Sequence, residues 1–181
     1  MLEDEQDLVK KSKDGEVEAF GLLYDHYLPK IYRFVLIKVG RREEAEDLTH
    51  QAFLKAWQNI AGYEFKGYPF GSWLYKIARN TVYDYYRQTR TEMDIEDADD
   101  LGWLVTEEDA AADTEKKLDL QRTLESLKKL KGIEEDVLIM RFVDDLPIKE
   151  VARTLGKTEG AVKLIQNRGI KNLKKLIEKE S

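Results

Sequence analysis

Residues 148–167 read IKEVARTLGKTEGAVKLIQN, and this stretch decides the fold of the C-terminal part of the chain. Ile148, Val151, Ala152 and Leu155 recur at helical spacing and form one apolar stripe. Pro147 suits the first turn of that short helix, because a proline there forfeits no hydrogen bond the helix needs. Gly156 suits a left-handed turn, and Thr158 is a good N-cap for a second helix. The second helix is expected to bury Val162, Ile165, Gly169 and Leu173. A small residue, a turn glycine and an apolar residue at 152, 156 and 162 let two helices cross closely, as in a helix-turn-helix. The open face of the second helix then carries Glu159, Lys163, Leu164, Gln166, Asn167, Arg168 and Lys171. Arg, Lys, Asn and Gln match base edges and phosphates in a major groove. The same face also fits a solvated helical hairpin. Lys174, Lys175 and Lys179 suit the helix dipole at its C-terminal end equally well.

Outward from there, helical periodicity runs through most of the chain. Phe20, Leu23, Tyr27, Ile31, Phe34 and Val35 keep three-and-four spacing, as do Ala45, Leu48, Ala52 and Ala56, then Trp73, Ile77 and Val82. Leu124, Leu127 and Leu130 begin the C-terminal group. No strand alternation stands out, and breakers fall at Gly40, from Gly62 to Gly71 with Pro69, and at Gly132. The expected fold is all-α.

The net charge of −6 is unevenly spread. Between Thr91 and Glu115 stand eleven acids and no Lys or Arg, so the remainder is net basic. This acidic segment, with a small apolar knot at Leu101, Trp103, Leu104 and Val105, reads as a linker too polar to fold alone. The knot leaves open whether it is a plain tether or docks elsewhere. Two helical domains are therefore expected, at 1–90 and 116–181, joined by a linker over 91–115.

The chain's 181 residues include no cysteine, which excludes disulfides and thiolate metal sites. The N-terminal MLEDEQDLVKK lacks the apolar core of a signal peptide, and no apolar run suffices to span a bilayer. A cytoplasmic protein with no direct membrane insertion is expected. His26 and His50 are too isolated for metal or acid–base chemistry. No nucleophile–base pair or phosphate-binding glycine loop is evident, so no catalytic residue, metal site, cofactor or small-molecule substrate is expected.

Residues 62–90 read GYEFKGYPFGSWLYKIARNTVYDYYRQTR, with aromatics and cations interleaved. Aromatics stack on unpaired bases while cations hold the backbone, the combination that binds single-stranded nucleic acid. Buried aromatics of a small helical core account for the same pattern, and Trp73 and Ile77 fit that role in part.

Four motifs in order resemble the extracytoplasmic-function sigma factors, the small two-domain group of sigma-70-type bacterial initiation factors. DGEVEAFGLLYDHYLPKIYRF (14–34) resembles the start of their first conserved region, and AEDLTHQAFLKAWQNI (45–60) their polymerase-binding helix. GSWLYKIARNTVYDYYR (71–87) is similar to their promoter −10 segment, and LPIKEVARTLGKTEGAVKLIQNRGIKNLKKL (146–176) to their −35-binding region. The resemblance implies a factor that binds core RNA polymerase, recognises promoter DNA at both elements and melts it. It implies that Asp47, Leu48, Gln51, Phe53 and Trp57 lie on the helix that docks on the clamp helices of the polymerase's largest subunit. His50-Gln51 stands where the family usually has Gln-Glu, so one carboxylate of that contact is missing. It implies −10 contacts from Tyr63, Phe65, Lys66, Tyr68, Phe70, Trp73, Lys76, Arg79, Asn80, Arg87 and Arg90. The loop Gly62–Phe70 would catch a flipped base, Asn80 would help read the element, and Lys76, Arg79, Arg87 and Arg90 would hold phosphates. On the −35 side it implies Thr158, Glu159, Lys163, Leu164, Asn167, Arg168 and Lys171. The acidic linker would thread the polymerase cleft, and an anti-sigma factor is an expected further partner. A helix-turn-helix regulator that never joins polymerase is the competing expectation; it leaves the aromatic–cation segment and the clamp-like helix without a role.

Overall fold

The computed structural model describes residues 4–89, 114–130 and 132–180, and among them every regular element is helical. The all-α expectation holds. The first group comprises α1 (Glu5–Lys13), α2 (Val17–Val39), α3 (Arg42–Asn59), a single 3-10 turn (Ile60–Gly62) and α4 (Phe70–Gln88). The second comprises α5 (Thr114–Lys129), α6 (Ile133–Leu138), which widens into a π-turn over Ile139–Val143, α7 (Ile148–Leu155) and α8 (Glu159–Glu180). Most of the expected linker lies outside the described residues; its last two residues, Thr114 and Glu115, open α5.

The first group is built around α2. Leu23, Tyr27, Ile31 and Phe34 are buried along one stripe, facing Ala45, Leu48, Ala52 and Ala56 of α3 and Phe70, Leu74, Tyr75, Ala78 and Val82 of α4. Full burial of each large apolar side chain contributes about 1.5–3 kcal/mol, which is what holds the three helices together. Gly40, at φ 74°, closes α2 in the left-handed conformation, and its N–H bonds the Leu36 carbonyl at 2.7 Å. At the end of α2 the stripe becomes a full circle: Val35, Leu36, Ile37, Lys38 and Val39 are all buried. A helix covered on one side cannot bury five consecutive residues. The second group supplies the other wall, through contacts of α5 and the π-turn with α2 and of α7 with α4.

The second group has its own core, with Leu124, Leu127 and Leu130 of α5, Val137 and Leu138 of α6, Ile139 and Met140 of the π-turn, Val151 and Ala152 of α7 and Val162 of α8. The helix-turn-helix forms as its sequence requires. Pro147 immediately precedes α7, Gly156 takes φ 62°, and the Thr158 hydroxyl accepts the Ala161 N–H at 3.2 Å as an N-cap. Gly169 is buried, and a Cβ on it would meet Leu138 at 3.2 Å, so glycine sets the approach of α8 to α6.

Candidate nucleic-acid and polymerase interfaces

Helix α8 presents one continuous open face. Thr158, Glu159, Lys163, Asn167, Arg168 and Lys171 are all exposed, and Leu164 is 73% exposed. Positions 163, 167 and 171 lie one turn apart, with 164 and 168 beside them, so all five reach the same surface. Leu164 is an apolar side chain among cations, and a thymine methyl in a major groove is a surface that suits it. Arg168 is tethered: its guanidinium pairs with Glu134 of α6, which also accepts the Asn172 amide at 2.8 Å.

On α3 the five expected polymerase contacts divide by face. Asp47 and Gln51 are exposed, together with His50 and the half-exposed Leu54. Leu48 and Phe53 are turned into the core, where Phe53 packs on Tyr24 with ring centroids 4.6 Å apart. Trp57 is half-buried against Phe20 at 5.0 Å. Helical period explains the split: 48, 52 and 56 define the inner stripe, and 47, 51 and 54 lie outside it.

The loop before α4 is built from below by aromatics. Tyr63, Phe70 and Trp73 form a triangle with centroids 5.1 to 5.5 Å apart, and Phe70 also meets Tyr27 at 5.9 Å. Tyr63 and Phe70 are buried and Trp73 is half-buried, so these three are scaffold. Phe65 is the loop aromatic left open, at 51% exposure, with Lys66 beside it. Helix α1 pins both ends of this loop. The Lys13 ammonium donates to the Tyr63 carbonyl at 2.8 Å, and Glu5 accepts the Phe70 N–H at 2.6 Å together with the Tyr27 hydroxyl. A buried carboxylate at the N-terminus of α4 also complements the helix dipole. Sequence reading missed α1; acids at the start and lysines at the end of a short helix do not reveal which of them turns inward.

The outer face of α4 carries Lys76 and Asn80, both exposed, and Arg87, which pairs with Asp84 at 2.6 Å. Arg90 lies outside the described residues. Arg79 and Tyr68 are engaged by the second group. Arg79 donates to Asp136 at 2.6 Å, and the Tyr68 ring lies beneath Lys149 (5.5 Å) and Arg153 (5.2 Å) of α7. Nearby, the Thr154 hydroxyl donates to the Ser72 carbonyl at 3.1 Å.

The interface between the groups centres on charges that sequence reading did not single out. Lys38 Nζ lies 2.6 Å from Asp136 Oδ1 and 2.8 Å from Glu135 Oε2, all three buried. Tyr83 donates to Asp136 Oδ2 at 3.1 Å. Burial works against the Lys38 charge, yet Glu135 and Asp136 carry its pKa above the ordinary lysine value. Burial pushes Glu135 up to about 7 despite Lys38. Further along, Arg33 donates to the Val143 carbonyl at 3.2 Å and stands 3.7 Å from the Asp144 carboxylate. Among the described residues no helix is long and apolar enough to cross a membrane, and no His/Cys/Asp/Glu group is arranged to hold a metal ion.

Comparison with known proteins matches residues 23–92 to Sigma-70 region 2 and residues 126–175 to Sigma-70, region 4. The chain is 33% identical over 171 residues to the ECF RNA polymerase sigma factor BldN of Streptomyces coelicolor, covering 94% of this chain and 65% of that protein. It is 30% identical over 175 residues to the ECF RNA polymerase sigma factor SigW of Bacillus subtilis, covering 92% and 93%. Among solved structures, CnrH in complex with the cytosolic domain of CnrY superposes with a TM-score of 0.74 at 20% identity over 98% of this chain and 99% of that one. The sigma factor RpoE in complex with the anti-sigma factor NepR from Bartonella quintana gives 0.64 at 23%, over 90% and 98%. These two share the fold. Region 2 on the first helical group, region 4 on the second and full-length similarity to SigW together place the chain: it belongs to the extracytoplasmic-function sigma factors of RNA polymerase.

Proposed function

We propose that the chain joins core RNA polymerase through the outer face of α3, sets α8 into the major groove of a −35 element, and captures the separated −10 strand on the loop before α4 and on α4 itself. The observation that carries the reading is the single open face of α8, with Leu164 among Lys163, Asn167, Arg168 and Lys171 and every one of them exposed. Asp47 and Gln51 supply the polar contacts to polymerase. Leu48, Phe53 and Trp57 hold the helix in place from behind.

Melting proceeds without a nucleotide-driven step. Unstacking one base costs a few kcal/mol. Stacking it on an aromatic returns about 1–3 kcal/mol, so Phe65 offsets most of one flipped base. Tyr63, Phe70 and Trp73 keep the loop shaped for it, with Tyr68 at its far end. Asn80 reads a base edge, while Lys66, Lys76, Arg79, Arg87 and Arg90 hold phosphates. Two modest DNA contacts joined by a tether bind as one strong contact once polymerase fixes their spacing. The factor carries out no reaction of its own, works in the cytoplasm beside polymerase and chromosome, and is a target for an anti-sigma factor.

Run-off transcription with core polymerase on a genomic promoter library tests this directly. Core alone should give no promoter-specific transcripts, and core with the chain should give a discrete set sharing two spaced motifs. A chain that binds duplex DNA but neither co-elutes with core nor directs transcription would be a plain regulator.

A further inference from the structure

Helix α1 buries one face, made of Glu5, Val9 and Ser12, and one of those three side chains is apolar. A free helix of nine residues is marginal in water, and the burial of Val9 with the half-buried Leu8 gives it little reason to stay docked. Its polar bonds supply the rest. They leave from both ends of the helix, and both ends reach the loop before α4.

At the first end, Glu5 is 7% exposed; Oε1 accepts the Phe70 N–H at 2.6 Å and Oε2 accepts the Tyr27 hydroxyl. Pro69 precedes Phe70 and has no side-chain oxygen to cap α4, so a carboxylate from α1 takes that part. A buried carboxylate is costly without partners, and the partners of Glu5 are the first N–H of α4 and the hydroxyl beside it. At the other end, the Lys13 ammonium donates to the Tyr63 carbonyl at 2.8 Å. The helix rises about 12 Å between these two residues, so one rigid element sets the separation of the loop's two ends.

Between the anchors Glu64, Phe65, Lys66 and Gly67 are exposed, and Gly67 turns the chain at φ 78°. The loop's own ion pair, Lys66 with Glu64 at 3.2 Å, lies at the surface, where such pairs contribute little. Phe65 therefore sits at the middle of a span whose shape is fixed from its ends.

We propose that α1 is a strut for this loop, with Glu5 and Lys13 as positioning residues that hold Phe65 ready for a flipped base, so that they govern how fast promoter DNA opens and not how tightly it is first bound. The proposal rests on the reading of the loop as the site of base capture. A loop already in shape loses no backbone freedom at the moment of capture, and the stacking on Phe65 is retained in full. An unpinned loop must order several residues first, and that ordering offsets the stacking.

The test uses the full chain with core polymerase on a promoter from the run-off library. Permanganate reactivity of the −10 thymines, followed in time at several holoenzyme concentrations, separates initial affinity from opening rate. Glu5→Ala should slow opening about tenfold, as loss of a charged hydrogen-bond acceptor does, and leave initial affinity unchanged. Glu5→Gln should restore most of the rate, because its amide oxygen accepts the Phe70 N–H and its NH2 donates to the Tyr27 oxygen. Lys13→Met, at an exposed position, should slow opening about threefold with the fold intact. The deciding comparison repeats these changes in a Phe65→Ala background. If α1 acts through Phe65, Glu5→Ala and Lys13→Met slow opening no further there. Should Glu5→Ala fail to fold, Lys13→Met carries the same comparison alone. No slowing, equal slowing in both backgrounds, or a loss confined to initial affinity would overturn the strut while leaving base capture intact. If Phe65→Ala by itself opens promoters at the wild-type rate, base capture at Phe65 is wrong and the strut falls with it.

Discussion

Gly71 lies so close to Tyr27 that a Cβ on it would stand 2.5 Å from Cε1 and 3.1 Å from the hydroxyl oxygen. The ring cannot swing aside easily. Its hydroxyl is held by Glu5, and its ring packs against His26 and Phe70 with centroids 4.8 and 5.9 Å away. A methyl group forced into this contact must move α4 or break the Glu5 bond that pins the loop before α4. We expect Gly71→Ala to destabilise the first helical group by about 1–3 kcal/mol, the usual cost of overpacking. Urea unfolding would measure it. Tyr27→Leu added to Gly71→Ala should recover part of the loss; equal stability of Gly71→Ala and wild type would show that the helices separate freely.

The division of α3 into two faces makes a sharper prediction about polymerase. Asp47→Arg with Leu54→Glu changes only exposed positions and should abolish co-elution with core polymerase in gel filtration, leaving the melting temperature near that of wild type. Phe53→Ala should behave in the opposite way. It empties a site 3% exposed against Tyr24, costing about 3–5 kcal/mol of stability, and weakens polymerase binding only as far as the domain unfolds. Co-elution of the folded double variant at wild-type strength would move the docking surface off α3.

On α8 the two cations are expected to act differently. Lys163 is exposed; on the proposed reading it contacts phosphates, and Lys163→Ala should then weaken all duplexes alike and lower the salt slope by about one. Arg168 is held by Glu134, and the proposed reading gives it a base edge rather than a phosphate. Arg168→Ala should cost about 1–3 kcal/mol on the cognate −35 sequence and relax discrimination at one base pair. Fluorescence anisotropy of the full chain on a promoter from the run-off screen and its single-base variants would resolve the two. If Arg168→Ala weakens every duplex equally, Arg168 is a phosphate contact as well.

How much of this was legible beforehand follows from which signals are local. The helix-turn-helix rests on Gly156, Thr158 and an apolar stripe within 20 residues, and each feature appears where expected. The open face of α8 could be read for the same reason, as the complement of that stripe. The loop aromatics could not be sorted by sequence. Tyr63, Phe65 and Phe70 look alike on the page, and only the packing of α1 and α4 decides that the first and third are scaffold while Phe65 stays open. The charge cluster was the least legible. Lys38 and Asp136 are 98 residues apart, and each would pass as an ordinary solvated residue on its own helix. The one local sign was a lysine set inside the apolar run Val35–Val39, where a solvated face had no room to begin.

That cluster should leave a mark on the pH dependence of stability. Burial raises Glu135 from an ordinary 4.5 to about 7, against the pull of Lys38 from α2 and Lys128 from α5 and with a further push from Asp136 on its own helix. Its folded form therefore holds a proton that the unfolded chain has already released. Between about pH 4.5 and 7 the native state binds more protons, so stability from this group falls as pH rises through that window and levels off above it. Asp144, raised to about 6 chiefly by burial, acts in the same sense over a lower range. Glu135→Gln fixes the uncharged state, and its amide oxygen still accepts from Lys38. Wild type and variant should melt at similar temperatures near pH 5, and the variant should become the more stable of the two as pH is raised to about 8. Circular dichroism melts across that range, with Asp144 common to both proteins, isolate the contribution of Glu135. A difference in melting temperature that does not change with pH would mean that Glu135 ionises as it does in water, and that the contact between the two domains is open to solvent.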